Sequence, residues 1–164
     1  MPSGQLDFHR DLFSLLEREL KAMAELKQIL DRETSALTYE RDSELLLQLI
    51  SEKDTQVSDL KHLETERARL MEGTGIDNDP SQITHYLSTE VQAQPLLHLW
   101  QQLLSLTTQC QESNRLNGTI IKLDSQHLHQ ALNLLRAENS GDSHNYGPQG
   151  HTTTANASRL LGQA

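Results

Sequence analysis

Over most of this chain apolar residues recur every three or four positions, the spacing of helices that each bury one stripe. From about Leu6 to Leu37 the stripe reads Leu6, Phe13, Leu16, Leu20, Met23, Leu30 and Leu37. Leu12, Leu15, Ala22, Leu26 and Ile29 widen it, and the spacing predicts a first long helix. Thr38-Tyr39-Glu40-Arg41-Asp42 then reads as a polar turn, with Asp42 or Ser43 placed to cap a second helix that runs to about Met71. The second face comprises Leu46, Leu49, Ile50, Val57, Leu60, Leu63 and Leu70, interrupted by Lys53 and Arg67. So short a connector folds the two helices into an antiparallel hairpin. Glu72 to Asn78 is a loop by composition. Asp79-Pro80-Ser81-Gln82 is a helix start, with an N-cap, a proline in the first turn and a glutamine at the capping-box position. A short helix to about Leu87 should follow, and Pro95 marks the opening of a last helix that continues to about Arg136.

That last helix carries the most informative stretch, Asn114-Arg115-Leu116-Asn117-Gly118-Thr119-Ile120-Ile121. Its seam runs Trp100, Leu103, Thr107, Cys110, Asn114, Asn117, Ile121, Asp124, Leu128, Ala131 and Leu135. Two asparagines one turn apart sit in this stripe, and a mid-helix glycine follows at about 1 kcal/mol relative to alanine. Asparagine in a seam sets register or partner choice, and glycine allows another backbone to come close. A locally imperfect bundle helix, with Asn117 and Gly118 facing the first or second helix, is the other reading of the same residues.

The expected fold is therefore all-α: an elongated antiparallel bundle of three long helices and one short helix over residues 1–137. Residues 138–164 are rich in Gly, Ser, Thr, Asn, Gln and Pro and read as a flexible polar C-terminal tail. At about 1.5 Å per residue the first two helices are each roughly 45 Å long and the last near 60 Å. A hairpin cannot cover a helix longer than itself. Ile120, Ile121, Leu128, Leu132 and Leu135 should then be left partly bare, and bare apolar stripes mark interaction sites. Self-association, as a weak homodimer or a homo-oligomeric scaffold, is the competing use of that stripe.

Composition narrows the chemistry. A net charge of −9 argues against nucleic acid, since phosphate contacts need clustered Lys and Arg. No apolar run approaches the length of a membrane span, so no membrane insertion is expected. Met1 to Gln5 lacks the basic and apolar regions of a secretory leader, which predicts a cytoplasmic protein. Cys110 is the one cysteine and sits among seam leucines, as a small buried thiol does. The eight histidines lack ligand spacing; His127 and His129, two apart on a helix, face opposite sides. Solvated side chains are the expectation for all of them, as for the carboxylate pairs Glu17/Glu19 and Glu64/Glu66. A helical phosphotransfer domain would resemble His-x-x-Lys-Gly at its site, and no histidine here has lysine three residues later. No enzyme activity, metal or cofactor is expected.

Three groups of residues carry a family resemblance: Asn114-x-x-Asn117-Gly118-x-x-Ile121, then Gln130-Ala131-Leu132-x-x-Leu135, then Tyr146-Gly147-x-x-Gly150. In this order and spacing they resemble the C-terminal half of the FlgN-type flagellar export chaperones. The N-terminal half is similar more loosely, through the leucine-rich first helix, Glu52-Lys53 and Arg67. The chain departs from members with a basic, glycine-rich tail, for it ends Ser158-Arg159-Leu160-Leu161-Gly162-Gln163-Ala164. The resemblance implies a cytoplasmic type III export chaperone for hook-associated proteins of the hook–filament junction. Such a protein holds each client's assembly-prone terminal segment unpolymerised and delivers it to the flagellar export gate. Client binding would fall to Asn114, Asn117, Gly118, Ile120, Ile121, Asp124, Leu128, Leu132 and Leu135. Contact with the export gate would fall to Tyr146, Gly147 and Gly150. A coiled-coil adaptor with no export role would share the leucine stripes but has no reason for the Tyr-Gly-x-x-Gly segment.

Overall fold

A computed structural model describes the backbone of residues 3–141 and the side chains of 4–137. Four helices form in the expected order: α1 (Ser3–Ser35), α2 (Ser43–Glu72), α3 (Pro80–Thr89) and α4 (Gln94–Gly141). The chain divides into two compact units, Met1–Leu123 and Asp124–Ala164, and the break falls inside α4. Tyr146, Gly147 and Gly150 lie outside the described residues.

In the first unit, α1 and α2 form the antiparallel hairpin. Its turn differs from the expected polar loop: α1 runs on as a wider π-helical turn, Ala36–Glu40, which buries Ala36 and Leu37. Arg41 ends it in the left-handed region with φ 49°, its N–H donating to the Ala36 carbonyl. Asp42 caps α2 by accepting from the Glu44 and Leu45 amides. A side chain in the left-handed region costs about 1–2 kcal/mol, part of which glycine loses again through chain entropy. Arg41→Gly should therefore stabilise the protein by about 0.5–1 kcal/mol in urea unfolding. A loss of stability would show that the Arg41 side chain does more than turn the chain.

Asp79 caps α3 as its sequence predicts, accepting from the Ser81 and Gln82 amides. Gln82 does not close a capping box on Asp79. Its side-chain amide instead donates to the Asp77 carboxylate, and its oxygen accepts from the Asp77 amide at 3.4 Å. Asp79 in turn has its carboxyl held below the usual range by the Ser81 hydroxyl and the Gln82 amide. One core joins all four helices: Leu12 and Leu16 of α1, Met71 of α2, Ile83 and Leu87 of α3, and Leu96, Trp100 and Leu103 of α4. Trp100 lies at its centre, with the indole N–H donating to Thr84 and the Arg67 guanidinium 5.1 Å from the ring centroid. Further along, Leu26, Leu30 and Cys110 form a smaller cluster with half-buried Met23, Val57 and Leu60 against it.

Candidate partner-binding surface

The two cations that interrupt the α2 stripe, buried Arg67 and half-buried Lys53, pair with buried carboxylates of α1. Arg67 donates to Glu19 at 2.6 Å with both groups buried, and to Asn78 at 2.9 Å. Lys53 donates to Glu33 at 2.8 Å, the Glu33 side chain being almost wholly buried. Glu19 thus belongs to the core and not to a solvated face. Desolvation pushes its carboxyl above the usual range despite the Arg67 charge beside it. Exposed companions, Arg18 with Glu66 and Arg32 with Glu52, flank each buried pair. Arg18-Glu19 and Arg32-Glu33 lie fourteen residues apart on α1, as do Glu66-Arg67 and Glu52-Lys53 on α2. That matched spacing on two antiparallel helices was the signal available in the sequence, and the stripe pattern alone passes over it.

Asn117 sits in the second polar layer. It is 1% exposed. Its amide donates to the Leu30 carbonyl and to Glu33, and its oxygen accepts from the Thr34 hydroxyl at 2.7 Å. The α1 helix thus takes up its hydrogen bonds, so Asn117 sets the register of α4 on α1 and offers no free amide to a client. Asn114 is exposed, its oxygen 3.4 Å from the Lys53 ammonium. Gly118 faces open space, with nothing within 4 Å of where a Cβ would stand, so no backbone among the described residues uses it for close approach. Asn117→Ala would remove three hydrogen bonds inside the bundle at once, those to the Leu30 carbonyl and Glu33 and the one from the Thr34 hydroxyl. It should cost about 1–3 kcal/mol in chemical unfolding, and a cost near zero would mean that water replaces the amide.

Cys110 is buried as expected, its thiol pushed above the usual range by desolvation. His9 departs from the expectation of a solvated ring, for it is half-buried and hydrogen-bonded to the Tyr86 hydroxyl at 2.9 Å. Among the described residues no cluster of three or more His, Cys, Asp or Glu is arranged to hold a metal, and no helix is long and apolar enough to cross a membrane.

The remaining expected positions are on the surface. In the first unit Ile120 is half-buried, while Ile121 and Leu123 are exposed. In the second, every described side chain from Asp124 to Ala137 is exposed. Leu128, Leu132 and Leu135, at i, i+4 and i+7 on one helical face, are 62%, 41% and 56% exposed. Leu116, Leu123 and Leu134 are also exposed, and reading the seam alone overlooks them. Single exposed leucines are ordinary, but three on one face make a surface that a helix of a partner could cover.

Two ionic layers built on the buried carboxylates Glu19 and Glu33, and bare leucines on the longest helix, mark an all-α helical bundle. The chain belongs to the FlgN protein family, whose model matches residues 9–154. The family is a non-enzymatic flagellar one, and the protein's role is flagellar. A crystal structure of a candidate flagella synthesis protein FlgN from Pseudomonas aeruginosa is similar at 26% identity, with a TM-score of 0.60. The match covers 71% of this chain and 90% of that one. A comparison with curated proteins finds no match.

Proposed function

We propose that the protein is a cytoplasmic chaperone of flagellar type III export, which covers the assembly-prone terminal helices of hook-associated proteins and brings them to the export gate. The observation that supports this reading is the row Leu128, Leu132 and Leu135, exposed at helical spacing on α4. An amphipathic client helix laid along it would bury both apolar faces and be kept from its own assembly contacts. Ile121 and half-buried Ile120 would extend the contact, with Asp124 and Asn114 supplying polar edges. Asn117 acts from beneath, by holding α4 in register.

Capture of the C-terminal segments of hook-associated proteins by the purified full chain tests client binding directly. No retention of any of them would overturn the reading. Tyr146, with Gly147 and Gly150, is the proposed contact for the export gate, since an aromatic ring gives a large contact area with few rotamers to order. Tyr146→Ala should bind its client with unchanged affinity yet lower motility and secretion of that client. If affinity falls as far as secretion, Tyr146 belongs to the client contact instead; if neither changes, the gate assignment is wrong.

A further inference from the structure

Between the two ionic layers the three long helices leave a slot. It consists of two grooves of about 310 and 350 Å³ that share Met23, Leu26, Val57 and Thr107 as lining. The layers stand fourteen residues apart on α1, from Glu19 to Glu33, which is about 20 Å of helix. Pro80, the first residue of α3, lines one groove. The short α3 helix fills the seam beside Trp100 with Ile83 and Leu87, and the slot prolongs that seam with no helix in it. Among the described residues no buried side-chain polar atom lacks a hydrogen-bond partner, so the interior of the slot asks an occupant for apolar contact alone.

The two walls differ. On the α4 side no Asp, Glu, Lys or Arg occurs from Val91 to Gln111, and depletion of charge is the mark of an interface core. On the α2 side the rim carries exposed Asp54, Lys61 and Glu64, and none of these side chains has an ion-pair partner among the described residues. They form a rail: a negative group, a positive one seven residues on, and a negative one three residues further. Lys53 and Arg67, the other cations of the lining, are engaged by Glu33 and Glu19.

We infer that the slot seats an amphipathic helix of another protein, in line with α3. Its apolar face lies on Met23, Leu26 and Leu30, and its edge carries a basic, an acidic and a basic residue opposite Asp54, Lys61 and Glu64. Helices packed side by side rise equally per residue, so the matching residues keep the spacing of seven and three. No segment of this chain has that triplet in either direction, so the rail is not written for a second copy. Charge order along a rim chooses among partners more than it adds affinity, since a wrong order sets like charges side by side. The slot shares no residue with the leucine row proposed for the client, and the two assignments stand or fall separately.

A pair of synthetic amphipathic peptides, held helical by a lactam bridge on the outer face and made in both chain directions, tests this on the full chain. Their leucine faces are identical; one carries Lys-Glu-Lys at the rail spacing and the other Glu-Lys-Glu. Trp100 is the only tryptophan and lines one groove, so its fluorescence reports occupancy of the slot. The matching rail should bind at least about 10-fold tighter than the inverted one at low salt, and the gap should narrow as salt is added. The triple variant Asp54→Lys/Lys61→Glu/Glu64→Lys, altered only at exposed positions, should keep its melting temperature and reverse the preference. Val57→Asp should abolish binding of both peptides, and Thr107→Lys serves in its place should Val57→Asp lower the melting temperature. Leu128→Asp should change nothing. Absence of binding, equal affinity for the two rails, or a triple variant that keeps the wild-type preference would each overturn the inference. So would loss of binding in Leu128→Asp, which places the peptide on the client face, and an affinity that falls as protein concentration rises, which places a second copy in the slot.

Discussion

Arg67→Met is expected to destabilise the free protein by about 3–5 kcal/mol at neutral pH, because it leaves the Glu19 carboxylate charged and unpaired inside the bundle. For a unit of this size that is a fall in melting temperature of roughly 10–20 °C. Glu19 is 3% exposed, and Arg67 both neutralises it and packs over Trp100. The pH dependence identifies the cause. In the wild type the Glu19 carboxyl already titrates above its usual range, since desolvation outweighs the Arg67 charge. Between the unfolded value and that higher folded one, the folded protein keeps a proton that the unfolded chain has released. Glu19's contribution to stability is therefore fully present below the unfolded value and declines as pH rises through the folded one. Without Arg67 the folded value moves higher still, so the defect of Arg67→Met should shrink as the pH is lowered to about 5. The double variant Glu19→Leu/Arg67→Met should recover most of the lost stability, as replacement of a whole buried pair by apolar groups commonly does. Thermal melts of the three proteins at two pH values check all of this. A single variant within 1 kcal/mol of wild type at neutral pH would show that water reaches Glu19.

Leu128→Asp should reduce client affinity by about 100-fold or more while leaving the melting temperature within a degree or two of wild type. Leu128 is 62% exposed, so its removal takes little from the core, and exposed substitutions of this kind fall within about ±0.5 kcal/mol. A carboxylate pressed between two apolar helix faces must lose its water without gaining a partner, and that penalty falls on the complex alone. Calorimetric titration with a terminal segment of a hook-associated protein, alongside a thermal melt, separates the two effects. Unfolding by Leu128→Asp would mean that the residue is core. Unchanged affinity would place the client elsewhere on the molecule.

Helix number, order and polarity were legible in the chain itself. A helix buries one stripe whatever lies opposite, so its period of 3.6 is written locally, and caps such as Asp42 and Asp79 need only their own neighbours. The stretch Ile121 to Leu135 could be read as bare because its apolar pattern outlasts the hairpin, and every side chain in it is exposed. What a polar residue in a stripe does is another matter, since it depends on what faces it from a distant part of the chain. Glu19 resembles Glu17 in sequence, yet Arg67, forty-eight residues on, draws only the first of them into the core. Asn117 had two open readings, a client contact or an intramolecular one. Only the packing of α4 on α1 brought Leu30, Glu33 and Thr34 within hydrogen-bond distance and decided for the second. Periodicity therefore determined which helices form and which leucines lack cover. Tertiary packing decided which charges are buried and where a slot stays open, because desolvation and pairing are properties of two surfaces meeting rather than of either one alone.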